Sequence, residues 1–106
     1  MIFDNPYILC SAIHIETGEE HVHSPRNIKT GFVVSGRRHH NCFATIMNLV
    51  PECREKYRRK DMIQGFITSD DRFLTREESL YVAIECGQVD PDNMICGTLT
   101  SEDLWQ

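Results

Sequence analysis

The 106-residue chain contains no apolar run that approaches the roughly 20 residues of a membrane span. Residues 1–6 also lack the basic flank and the apolar core of a signal peptide. Paired cysteines are missing as well, because the five cysteines are odd in number and form no Cys-x-x-Cys pair, which argues against a disulfide framework or a zinc ribbon. We therefore expect a cytoplasmic protein without a membrane association, and we predict no cofactor.

The length of the chain gives room for one hydrophobic core and no second domain. Hydrophobic residues make up 41% of the sequence and are spread along it, which favours a folded protein over a disordered tail. No internal repeat, low-complexity segment or linker interrupts the chain. A single domain covering residues 1–106 is therefore predicted.

The net charge of −5 hides a strong asymmetry. Residues 36–60 contain seven of the eleven Lys and Arg but only two of the sixteen Asp and Glu. Domains that bind duplex nucleic acid carry a wider positive surface, so this pattern favours a small anionic ligand over long nucleic acid. For residues 52–60 themselves an exposed helix face is the preferred interpretation, because Glu52 with Lys56 and Glu55 with Arg59 have the favourable i, i+4 spacing.

The order of the predicted elements indicates an α+β fold. Short runs rich in apolar residues, bounded by turn residues, predict strands. We predict strands over residues 7–15, 20–23, 28–35, 62–68 and 72–74. The first two would form a hairpin through a turn at residues 16–19. We expect a single small domain with an antiparallel or mixed sheet of four or five strands and two or three helices on one face.

Two helices are predicted from different signals. In the first, residues 38–49, apolar side chains follow the i, i+3, i+4, i+7 spacing of a buried stripe. This stripe contains Phe43, Ile46, Met47 and Val50. The second helix opens with a capping box, in which Thr75 and Glu78 satisfy each other's backbone N–H groups, and Gly87 stands where a C-terminal cap belongs. Its buried face is predicted to contain Leu80, Ala83 and Ile84.

Short motifs in a fixed order carry a resemblance to a known family. They are Gly36-x-Arg38-His39-x-x-Cys42, Gln64-Gly65-Phe66-Ile67-Thr68, Arg72-Phe73, Arg76-x-Glu78, Gly87-Gln88 and Ser101-Glu102-Asp103-Leu104-Trp105. Together they resemble a family of short proteins encoded by phages and prophages, and they extend over most of the chain. The resemblance implies a phage setting rather than a reaction, and by analogy an accessory or counter-defence role in the host cytoplasm.

The residues that follow Gly36 are typical of an anion site. Backbone N–H groups at a helix start are unpaired and the helix dipole is positive there. Cations at this position are therefore unfavourable unless an anion lies close to them. Arg38 offers a fork of donors suited to phosphate, and His39 adds a further donor or an acid/base group. Arg72 and Arg76 flank the second helix start and are predicted to converge on the same anion.

Each of these residues also has an alternative role that involves no ligand. Arg72 and Arg76 can instead pair with Asp70, Asp71 or the acidic tail. Gln88 is a candidate for reading a base or amide edge, and it can equally be an ordinary loop residue. The tail residues Leu104 and Trp105 are expected to dock onto the domain, a second subunit or a ligand ring, because exposed tryptophan is unfavourable.

Metal binding and nucleophilic catalysis are the two chemical alternatives to anion binding. The nitrogen and sulfur atoms of His21, His23, His39, His40 and Cys42 are plausible ligands, but their spacing matches no zinc signature, so no metal is predicted. Cys42 beside a helix N-terminus would have a lowered pKa and reactive sulfur, unless it lies in the buried stripe and is inert.

Three functions remain open at this point. The leading hypothesis is a protein, not an enzyme, that binds a phosphorylated, nucleotide-like ligand through Arg38, His39, Arg72, Arg76 and Gln88. The second is an interaction factor that inhibits a host protein through charged surfaces. The third is a nucleotide hydrolase or transferase in which His39 acts as acid/base and Glu78 or Glu77 assists. A homo-oligomer is compatible with the first two.

Overall fold

A computed structural model of the chain describes residues 6–21, 24–49, 62–93 and 98–104. Four antiparallel strands form one sheet in the order β2-β1-β3-β4. The strands are β1 (Ile8–Ile15), β2 (Phe32–Gly36), β3 (Met62–Thr68) and β4 (Phe73–Thr75). The helices are α1 (His39–Leu49), α2 (Arg76–Glu85) and the short α3 (Ser101–Leu104), and Pro91–Asn93 form one 3-10 turn. The predicted α+β class is confirmed.

Strand β1 lies inside the sheet, and its sequence explains why. The run from Ser11 to Ile15 is buried without interruption, which suits a strand with neighbours on both edges and both faces covered. Ile13 lies opposite Val34 of β2 on one side and Gln64 of β3 on the other. Gln64 is therefore placed on the same face of the sheet as the apolar side chains around it.

The predicted hairpin partner at residues 20–23 is wrong where the structure describes it. Glu20 and His21 belong to no strand, and residues 22–23 lie outside the described residues. These exposed polar residues offer no apolar face to bury, so β2 takes the edge of β1 instead. Strand β2 starts at Phe32 rather than at residue 28, because Gly31 has a φ of +81° that an extended strand does not use.

The segment from Ser24 to Gly31 crosses one face of the sheet. At one end the Nε2–H of His14 donates to the carbonyl of Thr30 (3.0 Å). At the other end the side-chain amide of Asn27 donates to the carbonyl of Phe73 (2.6 Å) and accepts from its N–H (2.8 Å). The segment covers the buried rings of His14 and Phe73, whose centroids are 5.6 Å apart.

Helices α1 and α2 lie over two apolar clusters of the core. The α1 cluster contains Ile13, Ile15, Val34, Cys42 and Ile46. The α2 cluster contains Ile8, Phe66, Ala83 and Leu99. Each helix begins next to the cluster of the other helix. The first residues of α1 and α2 therefore lie close together, between the two clusters.

The predicted apolar stripe of α1 is only partly correct. Ile46 is buried, Phe43 is half-buried and Met47 is 44% exposed, while Val50 lies outside the described residues. Among the α1 side chains that the structure describes, the buried ones are instead His39, Cys42 and Ile46, which follow the i, i+3, i+7 spacing. The stripe begins one turn earlier than predicted because His39, a polar residue, belongs to the core face.

Local signals define α2 as predicted. Both bonds of the capping box between Thr75 and Glu78 are present. Gly87 has a φ of +82°, and the N–H of the next residue donates to the carbonyl of Ala83 (2.8 Å), as in a helix C-terminal cap. Ala83 is buried, but the predicted core residue Ile84 is exposed. Among the described helices, none is long and apolar enough to cross a membrane.

Candidate functional site

A polar cluster of three side chains occupies the seam between the two apolar clusters. Arg76, the first residue of α2, donates from Nη2 to Oε1 of Gln64 (2.5 Å) and to Nδ1 of His39 (3.2 Å). Its Nη1 donates to the backbone carbonyl of Leu99 (2.7 Å). One guanidinium thus joins α2, β3, the start of α1 and the segment before α3.

The proton positions in this cluster follow from the chemistry of the partners. Arginine has only donors, so the ring nitrogen of His39 that faces Arg76 must accept, and Nδ1 carries no proton. The other nitrogen, Nε2, lies 2.8 Å from the carbonyl of Gly65, which only accepts, so Nε2 carries the proton. His39 is therefore held as the neutral Nε2–H tautomer, and it is only 8% exposed.

The backbone around Gly65 is shaped for this contact. A Cβ atom at this position would lie 2.0 Å from the carbonyl oxygen of Leu74, so no side chain fits. The next residue, Phe66, is fully buried and meets the His39 ring edge-on, with the centroids 5.0 Å apart. The Gln64-Gly65-Phe66 motif therefore supplies the bonding partner of Arg76, the carbonyl for His39 and the ring beneath it.

An open depression of about 550 Å³ adjoins the polar cluster at the start of α2. The described residues that line it are Met62, Gln64, Thr75, Arg76, Glu77 and Thr98. The wall therefore offers a guanidinium, an amide, a carboxylate and an apolar thioether side chain. A ligand with an anionic group, hydrogen-bonding edges and a flat apolar part matches this set of groups.

The structure places the predicted Arg38 at the cap position of α1. Its carbonyl accepts from the N–H groups of Asn41 (3.0 Å) and Cys42 (3.2 Å), and its own N–H donates to Oδ1 of Asn41 (3.2 Å). Asn41 thus takes the part that Glu takes in a capping box, and the chain satisfies part of this helix start by itself. Arg38 is adjacent to His39, and its binding of a ligand stays a prediction.

Arg72 is separated from Arg76 and lies in the turn before β4. Its Nε is 2.8 Å from Oδ2 of Asp70, and Nη2 of Arg26 is 2.9 Å from the same oxygen. Partial burial acts to raise the pKa of Asp70, but hydrogen bonds from Thr68, Arg72 and Arg26 outweigh it and lower that pKa to about 2. The structure brings His39 and Arg76 together, and it places Arg72 in this ion-paired turn instead.

Gln88 and Glu78 have structural partners. The side-chain amide of Gln88 accepts from the N–H of Ile8 (2.7 Å) and donates to its carbonyl (2.9 Å), which pins the start of β1 to the end of α2. Glu78 accepts from the N–H of Thr75 (3.0 Å) within the capping box. Both side chains therefore hold elements of the fold in place.

Cys42 is placed in the core rather than at a reactive surface. Burial, the larger cause, and the nearby thiol of Cys10 raise the pKa of Cys42 to about 11. The thiolate needed for nucleophilic attack is therefore scarce near neutral pH. In the part of the chain that the structure describes, no group of three or more His, Cys, Asp or Glu is arranged to hold a metal ion.

Sequence reasoning missed Gln64 as a site residue, although Gln64 has a readable signal, and it considered Glu77 only as a group that assists an acid/base. Gln64 alternates with Met62 and Phe66 along β3, so it is a polar residue between two apolar ones on one face of the strand. Such a residue needs a buried partner, and Arg76 is that partner. The sequence has no comparable signal for Glu77. The basic segment 52–60, His23 and Trp105 fall outside the described residues.

Comparison with known proteins adds a family to this geometry. The family model of the phage T4 y16D protein matches residues 7–105 of the chain. No curated protein and no solved structure matches it. The phage setting expected from the motifs is thereby supported. Since the match covers almost the whole sequence, the chain belongs to the phage T4 y16D protein family.

Proposed function

We propose that this phage accessory protein binds a small phosphorylated, nucleotide-like ligand in the depression at the start of α2. The observation that carries the proposal is the position of Arg76, a permanent cation on the wall of a depression large enough for a nucleotide. Its bonds to the Leu99 carbonyl, to Gln64 and to His39 hold the guanidinium in one orientation.

Preorganisation favours binding at such a position. A free arginine side chain loses rotamer freedom when it engages a phosphate, whereas the Arg76 side chain is already ordered by the protein. The N-terminus of α2 adds a favourable dipole for an anion. In a phage protein of this size, sequestration of a nucleotide-derived signal in the host cytoplasm is the role that suits binding without turnover.

Native mass spectrometry of the freshly purified chain, before and after denaturation, tests the proposal. We expect a co-purifying phosphorylated molecule that is lost on denaturation and on Arg76→Gln. Arg26→Gln is the matched control, because Arg26 is an exposed arginine that pairs with Asp70 and is not among the residues that line the depression. Circular dichroism establishes that both variants fold. A protein that stays empty after incubation with a nucleotide pool would refute the proposal.

The geometry favours binding over turnover. His39 is buried and both ring nitrogens have protein partners, so neither is presented to a substrate. Glu78 is engaged in the cap of α2. An enzyme would therefore need acid/base groups other than His39 and Glu78.

A second candidate function is contact with a host protein, which one observation favours. Tyr81 on α2 is 74% exposed beside a hollow of about 160 Å³ that Pro6, Val82 and Glu85 also line. Exposed tyrosine is a common anchor of interfaces, and the acidic residues of α2 favour a partner with a basic surface. A photo-reactive amino acid at position 81, but not one at the exposed position 45, should then cross-link one host protein in infected cells.

A further inference from the structure

We infer that the ligand of the depression carries an oxopurine base of the guanine type, recognised by Gln64 and Glu77. The inference rests on the proposed function, because it specifies the ligand of the same depression. It starts from the fixed orientation of one amide group. Arg76 has only donors, so the atom of Gln64 that faces it at 2.5 Å is the oxygen Oε1.

The amide nitrogen of Gln64 is consequently turned away from Arg76. Among the described residues, Nε2 of Gln64 has no hydrogen-bond partner, although the side chain lines the depression. Its two N–H groups are therefore available to an acceptor on a ligand. Gln88 shows the opposite case, because its amide oxygen and nitrogen both bond to the backbone of Ile8.

This orientation discriminates between purine bases. Glutamine reads adenine by accepting from the N6 amino group and donating to N7, which requires both ends of its amide. Gln64 has committed its oxygen to Arg76 and offers donors alone. Guanine presents acceptors at O6 and N7, so it matches Gln64, whereas adenine places an amino group at the position of O6.

Glu77 supplies the complementary half of the recognition. Its side chain is exposed on the wall of the depression, and its carboxylate has no ion-pair or hydrogen-bond partner among the described residues. A carboxylate only accepts, and guanine carries the donors N1–H and N2–H₂ next to O6. Met62 lines the same depression and offers an apolar, polarisable surface for the base plane. Arg76 lines the same depression and would face the phosphate.

Isothermal titration of the full chain with 5′-GMP, 5′-AMP and inorganic phosphate tests the inference. We expect GMP to bind at least about tenfold more tightly than AMP, the usual effect of one hydrogen bond gained or mispaired. Gln64→Glu keeps an acceptor for Arg76 but removes the donors, so the ratio of the GMP and AMP affinities should fall about tenfold. The ratio is the readout because the added negative charge affects both nucleotides equally.

Glu77→Gln provides a second readout, because it should change the affinity for GMP and the affinity for phosphate differently. It should weaken GMP binding several-fold and leave phosphate binding unchanged or tighter, since it removes a negative charge. Glu85→Gln is the matched control, because Glu85 is an exposed glutamate of α2 that lies at the other hollow. Equal affinities for GMP and AMP in the wild type would overturn the inference and leave the proposed function standing. Failure of all three probes to bind would overturn both.

Discussion

Arg76 is the single residue on which four separate chain segments depend. Its guanidinium donates hydrogen bonds to the Leu99 carbonyl, the Gln64 amide and the His39 ring at the seam of the core. Without Arg76 these groups would lose that hydrogen-bond donor. Each of these partners can only accept at the atom that faces Arg76, so the network has one consistent arrangement of protons. The ligand proposal and the stability of the fold therefore meet in one side chain.

Substitutions of His39 should separate its two bonds. His39→Ala leaves both the Arg76 donor and the Gly65 carbonyl without this partner, and we expect a loss of about 3 kcal/mol in the free energy of unfolding. His39→Gln retains a donor for Gly65, and His39→Asn retains an acceptor for Arg76, so each should lose less than the alanine variant. Urea unfolding measures all three. Equal losses in the three variants would contradict the assigned tautomer.

Local chemistry is sufficient for some elements of this fold and not for others. The sequence predicts β3 and the capped ends of α2 because their signals, an apolar run and a capping box with Gly87, act within a few residues. It does not predict where β2 starts, because Gly31 packs its backbone against the Ile15 carbonyl, and a Cβ there would lie 2.4 Å from that oxygen. That contact depends on the folded sheet.

The candidate site shows the same division. Arg76 and His39 are predictable as cations or titratable groups at helix starts, since that position is unusual for them. Their convergence on Gln64 is not, because it depends on how α1 and α2 lie over the sheet. The predicted role of Arg72 depended on its short distance from Arg76 along the chain. In the structure, however, Arg72 lies in the turn before β4 and Arg76 follows the other end of β4.

Because one threonine caps α2, alanine substitution at two different threonines should have different effects on stability. Thr75→Ala removes the side chain that accepts from the Glu78 N–H, and we expect a loss of about 1 kcal/mol in the free energy of unfolding. Thr45→Ala is the matched control within α1. Thr45 is exposed and its hydroxyl donates to the Asn41 carbonyl, a bond that contributes little, so this change should be neutral or slightly stabilising. Thermal melts of both variants would refute the assignment of the cap if their midpoints matched.

At the scale of the whole molecule, and within the described residues, helices cover one face of the sheet and the segment from Ser24 to Gly31 crosses the other. That segment is tied to the rest through Asn27, through the carbonyl of Thr30 and through the ion pair of Arg26 with Asp70. Asp70 also pairs with Arg72 and accepts from Thr68, so its turn connects β3, β4 and the covering segment. Loss of the Asp70 charge should therefore weaken the global fold.

The lowered pKa of Asp70 gives this connection a pH dependence of known sign. The folded chain binds the proton more weakly than the unfolded chain, whose carboxyl titrates near the ordinary value of 3.8, so the stabilisation is complete above that value. It is lost as the pH falls from there through about 2. Urea midpoints measured over this range should fall less in Asp70→Asn than in the wild type. Asp71→Asn, a change at the exposed neighbouring residue, should keep the wild-type slope, and a slope equal to that of Asp70→Asn would contradict the account.

The most direct test of the central claim is a nitrogen–proton NMR titration of the wild-type chain with 5′-GMP. We predict saturable shifts of the Gln64 side-chain amide and of the backbone amides of Arg76 and Glu77. The Gln88 side-chain amide, which bonds to Ile8 on another part of the fold, should stay still and serves as the internal control. Unchanged resonances around the depression at millimolar GMP, or shifts confined to other residues, would contradict the claim that this depression binds a guanine nucleotide.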